Sequence, residues 1–110
     1  MPYIEPMNRK DRDIARHFKQ LVQQRLTPVD VRVFGSRARG DAVPDSDLDV
    51  FVVVEQASRD IEKYVSDCAW EAGFEEDVVV VPVVVDKARM AGPLKDSVFV
   101  RNVLREGIAV

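Results

Sequence analysis

The sequence predicts a mixed α/β (α+β) domain in which helices cover one or both faces of a small mixed β-sheet. Three observations predict it. Valine fills 21 of 110 positions, and most of these valines fall into three clusters of strand length. Between the clusters, apolar residues recur at helical spacing. The resulting order is helix, strand, strand, helix, strand, helix, without an internal repeat or a low-complexity linker.

Each element has a local cause. Ile14, Phe18, Leu21 and Val22 share one face of a first helix, with Asn8 and Asp11 at its N-cap and N3 positions and Pro28 beyond its end. Valine is stiff at χ1 and suits a pleated, half-buried surface, so Val29 to Phe34, Leu48 to Val54 and Val78 to Val85 read as strands. Pro82 lacks a ladder donor and places the third strand at an edge or a bulge. Ser58 caps a second helix whose Ile61, Val65, Cys68, Ala69 and Ala72 form the buried stripe, with Gly73 as its stop. A third helix runs from about Asp96 to Glu106, with Phe99, Val103 and Leu104 inward and Gly107 ending it.

Composition narrows the function classes. Sixteen Lys and Arg stand against 19 Asp and Glu, a net charge of −3, which lacks the basic excess that general nucleic-acid binding needs. The single Cys68 cannot form an internal disulfide and fits a cytoplasmic chain. The longest apolar run, Val78 to Val85, is interrupted by Pro82 and is too short for a signal or a membrane span. The expectation is one domain over residues 1–110, with no membrane partner.

Two segments carry candidate chemistry. The first, Phe34-Gly35-Ser36-Arg37-Ala38-Arg39-Gly40-Asp41, leaves a strand and enters a stretch dense in Gly and Arg. Gly35 lets the backbone turn sharply and approach a ligand, Ser36 offers a hydroxyl and an N–H, and Arg37 and Arg39 add positive charge, which together make a phosphate-binding layout. The plainer alternative is a tight turn with two solvated arginines. The second segment, Asp45-Ser46-Asp47-Leu48-Asp49, runs straight into Val50 to Val54. Asp is disfavoured inside strands. The strand period places Asp47 and Asp49 on one face, about 7 Å apart at Cα, where they repel unless a cation lies between them; hard oxygen ligands select Mg²⁺ or Mn²⁺. A calcium-binding EF-hand loop is excluded, because Val50 and Gln56 stand where Gly and Glu are required. His17, Trp70, Lys87, Arg89 and Lys95 read as surface or packing residues.

Gly35-Ser36, ten further residues, then Asp47-Leu48-Asp49 and a Val-rich strand resembles the signature of the DNA polymerase beta-like nucleotidyltransferase superfamily, in the wording of its minimal nucleotidyltransferase branch. The ending Phe99-Val100-Arg101-Asn102-Val103-Leu104-Arg105-Glu106-Gly107-Ile108 is similar to the terminal helix and Glu-Gly of these domains. The resemblance implies that Gly35 and Ser36 hold the phosphates of a nucleoside triphosphate such as ATP and that Asp47 and Asp49 bind two Mg²⁺ ions. It also implies a third carboxylate from a neighbouring strand. Asp77, immediately before the third valine cluster, is the choice, with Glu75, Glu76 and Asp86 as competitors. The branch further implies a helical protein partner of the HEPN type, neutralised as a toxin either by transfer of AMP or by binding alone, and an acceptor site completed by that partner or by an oligomer.

Overall fold

The computed structural model describes residues 6–110; the first five residues of the expected domain lie outside the described residues. The elements are α1 (Arg9–Gln23), β1 (Asp30–Phe34), α2 (Ser36–Arg39), β2 (Leu48–Val54), α3 (Arg59–Phe74), β3 (Val80–Asp86), α4 (Lys87–Ala91), α5 (Val98–Glu106) and β4 (Ile108–Ala109). All six predicted elements are present. The additions, α2, α4 and β4, are too short to show a periodic pattern.

The four strands form one mixed sheet in the order β3-β2-β1-β4, with β2 antiparallel to β1 and parallel to β3, and β4 antiparallel to β1. Helices lie on both faces. On one face α1 and α3 bury Ile14, Phe18, Val22, Val65, Cys68 and Ala69 against Val31, Val33, Leu48, Val50 and Val52 of the sheet. Both caps form as predicted: the Asn8 side chain accepts the Asp11 N–H at 2.8 Å, and the Ser58 hydroxyl accepts the Ile61 N–H at 3.2 Å. The Tyr64 hydroxyl donates to the Leu21 carbonyl and ties α3 to α1. On the other face Phe51, Val53 and Val85 pack against Val100 and Val103 of α5, with Met90 and Leu94 alongside.

The end of α3 departs from the expected stop. The helix runs past Gly73 to Phe74. The Gly73 carbonyl accepts the Val78 N–H at 3.1 Å and the Phe74 carbonyl accepts the Asp77 N–H at 3.3 Å, while Asp77 adopts φ 55°. This is a Schellman ending with Asp77 in the left-handed position where glycine is usual. Gly73 serves a different need, because a Cβ there would stand 2.0 Å from the Val78 carbonyl oxygen. Val78 is absorbed by the helix end, so β3 begins at Val80, two residues later than the valine run suggests.

Two side-chain placements also differ. Val100 and Val103 are the buried residues of α5, and Phe99 and Leu104, expected inward, remain 47% and 44% exposed. Trp70, expected as a packing residue, is 61% exposed. Pro82 does lie on an edge strand. The Leu48 N–H bonds to the Val79 carbonyl at 2.9 Å, so odd-numbered residues of β3 direct their backbone toward β2 and the donor missing at Pro82 falls on the open side.

Gly73→Ala should therefore cost about 1–3 kcal/mol of stability, read as a lowered urea midpoint at an unchanged m-value. An unchanged midpoint would show that the α3–β3 turn relaxes around a methyl group.

Candidate functional site

The two candidate segments meet because of strand register. Phe34 at the end of β1 pairs with Asp49 near the start of β2, so the turn that follows Phe34 is laid beside the carboxylates. The fit at Gly35 is tight. Its φ is 77°, and a Cβ there would stand 2.6 Å from Oδ2 of Asp49. Conformation and space both require glycine. Ser36, half-buried, opens α2 directly after it.

Asp47 is exposed just before β2, and Asp49 is half-buried within it. The Asp49 carboxyl holds its proton more tightly than an ordinary aspartate, first because of partial burial and second because of the negative charge of Asp47. A divalent cation between the two carboxylates would remove that repulsion, and their donor set of hard oxygens fits Mg²⁺ or Mn²⁺. Among the described residues no group of three or more His, Cys, Asp or Glu is placed to hold a metal. Two carboxylates with phosphate oxygens completing the shell is an ordinary arrangement for Mg²⁺.

The structure does not bring Asp77 to this pair. Asp77 is exposed and shaped by the Schellman ending of α3, and Asp47 is the charged neighbour that raises Asp49. Its competitors are engaged elsewhere. Glu75 is the C-cap of α3, Glu76 pairs with Lys10 at 3.8 Å, and the Asp86 side chain caps α4 by accepting the Arg89 N–H at 2.8 Å. The residue of β3 beside Asp49 is Val81. Val79, 64% exposed, immediately precedes the strand. Valines thus stand where a carboxylate on the neighbouring strand would face the pair, which becomes legible only once the β2–β3 register is known.

The two arginines separate. Arg37, expected to reach a nucleotide, is 8% exposed and turned into the protein. It donates from Nη1 to Asp11 Oδ1 at 2.8 Å, from Nε to the Ser46 carbonyl at 2.8 Å and from Nη2 to the Pro44 carbonyl at 3.0 Å. Its charge is spent on α1 and on the loop before β2, which removes it from the phosphate-binding set. Arg39 stays at the surface with Asp41 as its partner at 3.2 Å. His17 is exposed and Lys87 pairs with Glu55 at 3.6 Å, as a surface reading expects.

A feature missed in the sequence is aromatic. The Phe99 ring meets Phe34 edge-on at 5.5 Å and Phe51 at 6.3 Å. Phe34 is the cross-strand partner of Asp49 and Phe51 lies two residues along from it, so Phe99 borders the face that carries Asp49. Nothing local in the sequence signals this, because α5 follows β2 at long range.

Comparison with known proteins identifies the domain family. The nucleotidyltransferase domain family model matches residues 12–110. A crystal structure of a candidate nucleotidyltransferase from Sulfolobus solfataricus is similar at 18% identity over 99% of this chain and 89% of that chain, with a TM-score of 0.47, too loose a superposition to carry an argument. No curated protein gives a significant match. No helix among the described residues is long and apolar enough to cross a membrane.

Two stability experiments test the site. Arg37→Met strands the buried Asp11 carboxylate and should cost about 3–5 kcal/mol in urea unfolding, with part of the loss recovered when Asp11→Asn is added. A cost under about 1 kcal/mol would show that the clamp carries little. Asp49 binds its proton more tightly folded than unfolded, so its ionised form opposes folding. In the absence of divalent ions Asp49→Asn should raise the melting temperature at pH 7 by about 1–4 °C. That gain should vanish below pH 3.8, the ordinary aspartate value, where both states are protonated. A gain that persists in acid would assign the effect to packing instead of charge.

Proposed function

The chain belongs to the nucleotidyltransferase domain family, and from that premise we propose that it is a Mg²⁺-dependent enzyme that moves AMP from ATP onto a hydroxyl of a partner protein, acting as the antitoxin of a HEPN-type helical toxin. One observation carries the catalytic part: the pairing of Phe34 with Asp49, which sets Gly35 and Ser36 against the Asp47–Asp49 pair. In this reading Gly35 lets the backbone approach the triphosphate and Ser36 offers its hydroxyl and N–H to phosphate oxygens. Arg39 is the cation left free of the interior to meet their charge. Asp47 and Asp49 hold Mg²⁺, which when bound neutralises the charge that develops on the phosphates and the leaving group. The acceptor oxygen bonds to the α-phosphorus, the bond to the bridging oxygen breaks, pyrophosphate departs and the hydroxyl proton is lost to solvent.

A second reading rests on Val79 and Val81. With valines beside the carboxylate pair, the domain acts as a binding module that neutralises its partner by complex formation and transfers nucleotide weakly or not at all. Incubation with ATP, Mg²⁺ and a HEPN-type partner, followed by intact-mass measurement of the partner, separates the two. An added AMP that disappears with Asp47→Asn supports transfer. A co-purifying complex without added mass supports the binding module, and neither mass nor complex removes both.

A further inference from the structure

We propose that the groove between the C-terminal half of α3 and the open edge of β3 docks a cationic amphipathic helix of a partner protein. The groove has a volume of about 630 Å³ and is lined by Trp70, Phe74, Val79, Val81 and Pro82 among others. Its apolar side chains are unusually open: Trp70 is 61%, Phe74 66% and Val79 64% exposed. Trp70 and Phe74 lie one helical turn apart with ring centroids 4.4 Å from each other, so they form a single apolar ridge. Exposed aromatics clustered on a concave surface are the usual anchors of protein recognition.

Charge selects the occupant. Asp67, Glu71, Glu75, Glu76 and Asp77 are exposed around the ridge. Lys63 pairs with Asp67 and Lys10 with Glu76, whereas Glu71, Glu75 and Asp77 have no ion pair among the described residues. From Tyr64 to Asp86 the chain contains no Lys or Arg. A complementary surface must bring apolar side chains to the centre and Lys or Arg to the rim, where a cation over Trp70 gains further attraction.

The other occupants fit less well. Nucleic acid and anionic lipid headgroups are repelled by the rim. An added strand meets the missing donor at Pro82 on the open side of β3. A second copy could offer the basic residues of α1, but its Ile14, Ala15, Phe18 and Val22 are buried in its own core, leaving charge without an apolar stripe. A helix-in-groove mode remains. Docking there requires no catalysis at Asp47 and Asp49.

Trp70 is the only tryptophan and reports on the groove directly. The probe is a synthetic helix of about 18 residues with leucines at i, i+3, i+4, i+7 spacing and lysines elsewhere, beside a control with glutamates replacing the lysines. The lysine peptide should shift Trp70 emission to the blue with saturable, micromolar affinity, and the glutamate peptide should not. Phe74→Ser and the pair Glu71→Lys with Glu75→Lys, all at exposed positions, should each weaken binding by about tenfold or more. Absence of binding, or binding of equal strength to both variants, would overturn the proposal. So would a blue shift that grows with protein concentration alone alongside dimer formation in sedimentation, because a second copy would then fill the groove.

Discussion

A guanidinium buried among three oxygens holds together the parts of this fold that carry its chemistry. Arg37 is 8% exposed and its ion-pair partner Asp11 only 2%. Such a pair is tolerated when its nitrogens find acceptors, and each of the three nitrogens of Arg37 does. Here Asp11 supplies one, and the carbonyls of Ser46 and Pro44 supply the others. Asp11 sits in the first turn of α1, where the helix dipole also favours a negative charge. The consequence reaches both candidate segments. Ser36 immediately precedes the clamp on one side, and Asp47 immediately follows Ser46 on the other, so the glycine turn after β1 and the exposed carboxylate are fixed to the same buried charge.

Strand register supplies the remaining constraint. Leu48, Val50 and Val52 fill the α1–α3 face of β2 and are fully buried. A slip by one residue would drive Asp49 into that core and crowd the valines into the positions of Phe51 and Val53 under α5, so the register locks the carboxylate onto the opposite face. Asp49 is accepted there at a cost, visible in its tightened hold on a proton. The cost falls close to the end of the strand, beside a glycine that leaves room for one carboxylate oxygen and nothing more. A charged group kept at such a cost is a common consequence of selection for function over stability.

These two constraints also explain what the sequence could reveal. Strands were legible because valine clusters announce a two-sided buried surface, and Gly35, Asp47 and Asp49 because each violates the local preference around it. Arg37 was misread because a Gly-Arg-rich turn looks the same whether its cations face an anion or the interior, and the deciding partner, Asp11, is 26 residues away. Asp77 was misread for a related reason. Immediately before a valine run it looks like the start of a strand, yet the chain is still completing α3, and only the 6→1 bond from Val78 to Gly73 reveals it. On so short a helix as α5, periodicity does not tell that Val100 and Val103 fill the core while Phe99 stays at its margin, against Phe34 and Phe51.

The strand β3 is where the remaining questions of function converge. Its position beside β2 gives it the opportunity to face the carboxylate pair, and it presents Val81 beside Asp49, with Val79 just before the strand, in place of an acid. The same Val79 lines the acidic groove with Trp70 and Phe74. The groove opens between α3 and the strand edge, on the side of Val80 and the α1–α3 core, whereas Asp49 faces the opposite side, so partner docking and nucleotide chemistry rest on separate surfaces of the domain.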